Sequence, residues 1–189
     1  MTEVLLYHHI QGLTEGVRAF ADELREAGHK VHTPDLFNGR TFGSIEEGFA
    51  FAGDTGFDAI RERGAAAAYE LAPGLVYAGF SFGVTIAQQL AQTRPGARGA
   101  LLMYSCIPVG EFGAAWPQGV PVQIHGKKDD EFFDEDLPAA RELVESAGSA
   151  ELFVYPGGQH LFADSSLDAY DPEASALLRE RVQAFLASV

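Results

Sequence analysis

Cysteine and positive charge are both scarce in this chain of 189 residues. Its single cysteine, Cys106, cannot form an internal disulfide, so nothing in the sequence requires an oxidising compartment. The 13 Lys and Arg residues are outnumbered by 27 Asp and Glu, which gives a formal net charge of −14. Because nucleic acids and anionic membranes bind basic patches, we expect neither of them to be a partner.

Long apolar runs are also missing from the sequence. The first residues, Met1-Thr2-Glu3, lack the basic segment and apolar stretch of a signal peptide. No segment approaches the about 20 apolar residues of a transmembrane helix, so we expect a cytoplasmic protein. There is no internal repeat, low-complexity linker or change in composition, which predicts a single domain over residues 1–189, present as a monomer or a small homo-oligomer.

Strand-like and helix-like segments alternate along the chain. This alternation predicts a three-layer α/β fold, in which helices cover both faces of a mainly parallel sheet of about six strands. The predicted strands are Val4–His8, Lys30–Thr33, Leu75–Ala78, Gly99–Tyr104, Val120–His125 and Leu152–Tyr155. The predicted helices are Thr14–Ala27, Phe57–Leu71, Val84–Thr93, Asp136–Ala147 and Pro172–Ser188.

The segment 38–54 fits neither pattern, because glycines interrupt it repeatedly. Its aromatic residues are Phe42, Phe49 and Phe51. Two interpretations are open: a flap that covers a pocket, or a loop whose aromatic side chains enter the core.

The pentapeptide Gly79-Phe80-Ser81-Phe82-Gly83 is the most informative motif in the chain. It follows an apolar strand-like run and precedes a helix-like stretch. Gly-x-Ser-x-Gly in this context is typical of a nucleophile elbow, a strained turn that exposes a serine hydroxyl above the edge of a sheet. A Cβ at either flanking glycine would collide with a neighbouring strand or helix. Ser81 is therefore the candidate nucleophile.

A serine hydroxyl needs a base to take its proton and a third group to orient that base. His160 is the candidate base, because it follows a strand and a glycine-rich turn that would place it at the carboxyl edge of the sheet. The acid is expected after the preceding strand, where Asp129 and Asp130 stand side by side. We interpret Asp129 as the acid and Asp130 as a solvated loop charge.

The remaining histidines and the cysteine suggest no metal site. No His, Cys or Asp spacing resembles a zinc signature, and the side chains of adjacent His8 and His9 should diverge. His125, at a strand end, is interpreted as a structural residue, and Cys106 as an inert core thiol.

With the elbow, acid and base in this order, the chain resembles the dienelactone hydrolase family of α/β-hydrolases over nearly its whole length. The resemblance implies a sheet of order 2-1-3-4-5-6 and a catalytic triad of Ser81, Asp129 and His160, with no metal or organic cofactor. It also implies that the backbone N–H groups of Ile10 and Phe82 form the oxyanion hole. The other motifs that carry it are His9-Ile10-Gln11-Gly12, Pro34-Asp35-Leu36-Phe37, Gly126-Lys127-Lys128-Asp129, Gly158-Gln159-His160-Leu161-Phe162 and Tyr170-Asp171-Pro172-Glu173-Ala174.

Three departures from the family pattern concern the expected substrate. The namesake enzymes have cysteine where Ser81 stands, glutamate where His9 stands, and an arginine that holds a substrate carboxylate where Asp164 stands. We therefore expect His9 and Asp164 to line the substrate site and Asp164 to repel anionic substrates. A preference for anions would instead point to a basic group such as Arg40 or Lys127.

The sequence thus predicts a serine hydrolase that cleaves a small carboxylic ester or thioester through an acyl-enzyme. Two alternatives stay open at this point. One is an acyltransferase that uses the same triad. The other is a non-catalytic ligand-binding module that keeps the hydrolase fold.

Overall fold

The computed structural model of the chain describes residues 1–113 and 115–189. Its centre is a six-stranded sheet in which every neighbouring pair of strands is parallel and the order is β2-β1-β3-β4-β5-β6. The strands are β1 Glu3–Tyr7, β2 Lys30–His32, β3 Val76–Phe80, β4 Gly99–Met103, β5 Val122–Lys127 and β6 Ala150–Tyr155. The predicted α/β class and strand order are confirmed.

Within the described residues, six α-helices connect and cover the strands. They are α1 Glu15–Glu26, α2 Ile45–Thr55, α3 Phe57–Tyr69, α4 Val84–Thr93, α5 Glu131–Ser146 and α6 Pro172–Ser188. Helices α1 and α6 pack on one face of the sheet, and α3, α4 and α5 pack on the other. No helix in the described part of the chain is long and apolar enough to cross a membrane.

Strands β1, β3 and β4 are apolar, apart from Glu3 at the start of β1, because each faces a core on both sides. In β1, Val4 and Leu6 pack in the core beneath α1 and α6, whereas Leu5 and Tyr7 pack in the core beneath α3 and α4. Side chains alternate between the two faces of a strand, so a strand buried on both faces carries no polar alternation. This explains why short apolar runs were sufficient to locate the strands.

The segment 38–54 differs from the sequence prediction, because residues 45–54, more than half of it, belong to helix α2. Ser44 caps this helix by accepting a hydrogen bond from the N–H of Glu47, at 3.2 Å. Phe51 packs against Phe37, with ring centroids 5.1 Å apart, as the core-loop interpretation expected. Phe49, by contrast, is 43% exposed. The helix forms despite its glycines, because Ser44 caps its first turn.

The region that carries the two candidate acids also differs. Strand β5 continues to Lys127, two residues beyond its predicted end, and α5 begins at Glu131 instead of Asp136. Asp130 is the N-cap of α5, and its side chain accepts a hydrogen bond from the N–H of Phe132 at 3.1 Å. The loop between strand and helix is therefore only three residues long, and it decides which aspartate faces the site.

Candidate active site

Ser81 lies in a tight turn between β3 and α4. Its φ is +49°, in the left-handed region that residues with a side chain seldom adopt. A Cβ on Gly79 would lie 2.5 Å from the backbone of Gly83, and one on Gly83 would lie 2.6 Å from the carbonyl oxygen of Tyr7. Only glycine fits at either position, so the turn has the geometry expected of a nucleophile elbow.

A row of hydrogen bonds joins Ser81 to a buried carboxylate. The Ser81 Oγ and the His160 Nε2 are 2.9 Å apart, and the His160 Nδ1 lies 2.6 Å from the Asp130 Oδ2. His160 is 9% exposed and Asp130 is 1% exposed. An ionised carboxylate can only accept, so it holds the proton on Nδ1 and leaves the lone pair of Nε2 directed at the serine hydroxyl.

The prediction that Asp129 contacts His160 is wrong, and so is the interpretation of Asp130 as a solvated charge. The Asp129 side chain is exposed. Its backbone instead binds the loop that leads to the histidine, because its N–H donates to the carbonyl of Gly157 at 3.1 Å. The longer β5 and the capping of α5 turn the side chain of Asp130 inward.

Ile10 lies in the loop after β1, beside the elbow, because β1 and β3 are neighbours in the sheet. The N–H of Ile10 donates to no acceptor among residues 1–113 and 115–189. Its carbonyl oxygen is packed against α2, where a Cβ on Gly48 would lie 2.1 Å away. Phe82 follows Ser81 directly in the turn. The two predicted oxyanion donors therefore lie on adjacent loops, and α2 supports one of them.

Two adjacent buried histidines hold the loop that contains Ile10. The His8 Nδ1 donates to the carbonyl of His9 at 2.7 Å, while its Nε2 accepts from the N–H of Leu36 at 3.0 Å. Since one nitrogen must donate and the other must accept, this imidazole is neutral, and burial lowers its pKa to about 4. The His9 Nδ1 accepts from the N–H of Gln11 at 3.2 Å.

His9 and Asp164, which are predicted to line the substrate site, are buried and in contact with each other. The His9 Nε2 lies 2.7 Å from the Asp164 Oδ2, and both side chains are almost completely buried. Asp164 also accepts from the Thr14 hydroxyl at 2.5 Å and from the Ser166 hydroxyl at 2.6 Å. Burial raises the pKa of Asp164, but the hydrogen bonds from His9, Ser166 and Thr14 outweigh it and hold the value at about 2.

In the sequence, His9 and Asp164 are two separate departures from the family pattern. The structure shows one paired change, which joins the Ile10 loop to the segment that follows His160. The two changes in charge were visible in the sequence, since His9 replaces a glutamate and Asp164 replaces an arginine. A single sequence does not show that residues 155 positions apart are in contact.

The two basic residues considered for an anion site are engaged elsewhere. The Lys127 Nζ is buried and lies 2.5 Å from the Asp171 Oδ2 and 2.7 Å from the Gln159 Oε1. This bridge ties the end of β5 to the loop before His160. The guanidinium of Arg40 lies over the ring of Phe51, 5.2 Å from its centroid. No group of three or more His, Cys, Asp or Glu suited to a metal ion occurs within the part of the chain that the structure describes.

Comparisons with known proteins agree with this architecture. The sequence pattern of the dienelactone hydrolase family matches residues 1–189. No curated protein matches the chain.

Three solved structures illustrate the likeness in fold. A candidate dienelactone hydrolase from Klebsiella pneumoniae subsp. pneumoniae MGH 78578 is 20% identical, with a TM-score of 0.77 over 100% of this chain and 88% of its own. The dienelactone hydrolase-like promiscuous phosphotriesterase P91 from metagenomic libraries is 18% identical, with a TM-score of 0.79 over 100% and 86%. A structure from work on the metagenome-derived lipolytic enzymes LipS and LipT is 16% identical, with a TM-score of 0.66 over 100% and 94%.

Proposed function

The chain belongs to the dienelactone hydrolase family, and from this premise we propose that it is a serine hydrolase that cleaves a small carboxylic ester or thioester through an acyl-enzyme. The observation that carries the proposal is the row from Ser81 through His160 to Asp130, with contacts of 2.9 and 2.6 Å. A ligand-binding protein has no need of a hydroxyl, a base and a buried carboxylate in this arrangement.

In the first step, the Ser81 Oγ attacks the carbonyl carbon of the substrate and its proton passes to the His160 Nε2. The imidazolium that forms is stabilised by Asp130, which retains its hydrogen bond to Nδ1. The N–H groups of Ile10 and Phe82 receive the oxyanion. Such donors are typically worth a few kcal/mol each in the transition state.

The tetrahedral intermediate then collapses, and the bond between the carbonyl carbon and the leaving oxygen or sulfur breaks. His160 gives its proton to that leaving atom, so an alcohol or thiol departs and the acyl group remains on Ser81. Water, deprotonated by the same histidine, attacks the acyl-enzyme. The carboxylic acid is released and the serine recovers its proton.

The experiment that tests this proposal is labelling with a fluorophosphonate probe, combined with turnover of p-nitrophenyl acetate. We expect Ser81→Ala to abolish labelling and to lower kcat by about 10³-fold or more, since only oxyanion and binding effects would remain. Ser146→Ala, at an exposed position on α5, is the matched control and should behave as the wild type.

Two results would contradict the proposal. Labelling that persists in Ser81→Ala would show that another group is the nucleophile. A wild-type protein that neither labels nor turns over any ester would favour the ligand-binding module. An acyltransferase would label at Ser81, and would be recognised because an added alcohol acceptor yields a new ester faster than water yields the acid.

A further inference from the structure

Three exposed phenylalanine side chains lie beside residues of the candidate site or beside one another. Phe132 is 47% exposed, Phe49 43% and Phe57 37%. We call these three residues the aromatic rim. Exposed apolar groups that cluster beside polar reactive groups mark a binding site more often than a bare surface.

The residues of the rim contact different parts of the candidate site, which we call its two sides: Phe132 contacts the base, and Phe57 contacts the neighbour of the serine. Phe132 belongs to the first turn of α5, and its ring lies 4.8 Å from the imidazole of His160. Phe57 begins α3, and its ring lies 6.0 Å from that of Phe82, the neighbour of the serine. Phe49 on α2 extends the second side, 6.3 Å from Phe57.

The chemistry of the proposed function assigns a part of the substrate to each side. His160 must reach the leaving atom to protonate it, so the leaving group lies on the side of the imidazole, where Phe132 stands. The carbonyl oxygen points to the N–H groups of Ile10 and Phe82. The acyl group must occupy the remaining direction, away from His160.

We infer that Phe132 binds the leaving group of the substrate, that Phe57 and Phe49 bind its acyl group, and that the substrates are uncharged esters with an apolar group on each side of the carbonyl. The apolar rings of the rim favour an uncharged substrate. Lys127 is buried against Asp171, and Asp164 is buried against His9, so neither presents a charge to the rim.

This inference rests on the proposed function, and its first test separates the two sides of the ester. Phenyl acetate and methyl acetate differ only in the leaving group. We expect Phe132→Ala to reduce kcat/KM for phenyl acetate about three- to tenfold more than for methyl acetate, the range of one aromatic pair. The deacylation rate of the acetyl-enzyme, measured in a burst experiment, should stay unchanged, because the leaving group has departed by then.

Phe57→Ala should give the opposite pattern. We expect the ratio of kcat/KM for phenyl hexanoate to that for phenyl acetate to fall severalfold, and deacylation of the hexanoyl-enzyme to change as well, because the acyl group is still bound. Leu177→Ala is the control, since it truncates an apolar residue of α6 that is 46% exposed. It should alter neither ratio.

Two outcomes would overturn the inference. If Phe132→Ala slows both acetates and deacylation equally, its ring only supports the imidazole. If it changes acyl preference instead, the two sides have been assigned wrongly.

A binding measurement separates failure of this inference from failure of the proposed function. Phenyl hexanoate should bind Ser81→Ala, and calorimetry should show weaker binding when Phe132→Ala or Phe57→Ala is added. If these rim substitutions weaken binding but the wild type is never labelled by the fluorophosphonate probe, the rim is a ligand site and the hydrolase proposal is rejected. Unchanged binding in a protein that labels and turns over esters would reject the rim alone.

Discussion

The two oxygens of Asp130 bind two different parts of the molecule: Oδ2 accepts from Nδ1 of His160, and Oδ1 accepts from the N–H of Phe132 at the start of α5. One carboxylate thus orients the proposed base and caps a helix. The carboxylate is held in place by the helix it caps, so the imidazole is oriented by a rigid element and not by a loose loop.

Substituting the acid separates these two contributions. In Asp130→Asn the amide oxygen can still cap α5, but the amide group facing His160 favours the wrong tautomer. We expect kcat on p-nitrophenyl acetate to fall about 10³- to 10⁴-fold with little loss of stability. Asp129→Asn, at the exposed neighbour, should remain within about threefold of the wild type. The reverse order would return the role of the acid to Asp129.

The buried pair of His9 and Asp164 predicts a stability effect. His9→Ala leaves a buried carboxylate without its main partner, so we expect the free energy of unfolding in urea to fall by about 3–5 kcal/mol. Asp168→Ala removes an exposed carboxylate from the same loop and is the control. A double-mutant cycle with Asp164→Asn should show strong coupling, and additive losses would argue that the contact contributes little.

The same carboxylate predicts how stability changes in acid. The pKa of Asp164 is about 2 in the folded protein, below its ordinary value of 3.8. Its contribution is therefore complete above about pH 4 and is lost as the pH falls toward 2. The difference in unfolding free energy between the wild type and Asp164→Asn should narrow over that interval. A difference that stays constant from pH 5 to pH 2.5 would contradict the lowered pKa.

His125 predicts a second dependence of stability on pH, which arises from burial of a neutral imidazole and not from hydrogen bonds to a carboxylate. Its ring is stacked on Phe153 and bonded to the Tyr155 hydroxyl at 2.9 Å, and burial lowers its pKa to about 3. Between about pH 6.5 and 3 the unfolded chain binds a proton that the folded protein does not, so stability falls as the pH falls. His125→Phe keeps the stack and should flatten the curve of unfolding free energy in that window. An unchanged slope would show that other groups are responsible.

Gly48 offers a test of the oxyanion loop. An added Cβ would lie 2.1 Å from the carbonyl oxygen of Ile10, so Gly48→Ala must displace the loop whose N–H is proposed to bind the oxyanion. Losing one such donor costs about 10²- to 10³-fold in kcat, and we expect a loss of at least tenfold. Gly53→Ala, on the same helix with open space around it, should leave kcat unchanged and raise stability slightly.

Much of the fold could be read from the sequence because it depends on local patterns. Strands buried on both faces are short apolar runs, and Asp171-Pro172 marks the start of α6 by capping chemistry that needs no distant partner. The turn at Ser81 was also visible, because its Gly-x-Ser-x-Gly motif is contiguous in the sequence. The clash that a Cβ on Gly83 would make with Tyr7 of the neighbouring strand was not.

The rest was decided by tertiary structure. Two adjacent aspartates point in different directions, so the choice of Asp130 over Asp129 depended on where β5 ends, which is set by pairing with β6 as far as Lys127 and Tyr155. The contact of His9 with Asp164 arises because the loops after β1 and β6 converge, although 155 positions separate them in the chain. The sequence determined which candidate catalytic residues the chain contains and their order along it. Packing decided which carboxylate met which imidazole, because a hydrogen bond forms only between groups that the whole fold brings within about 3 Å.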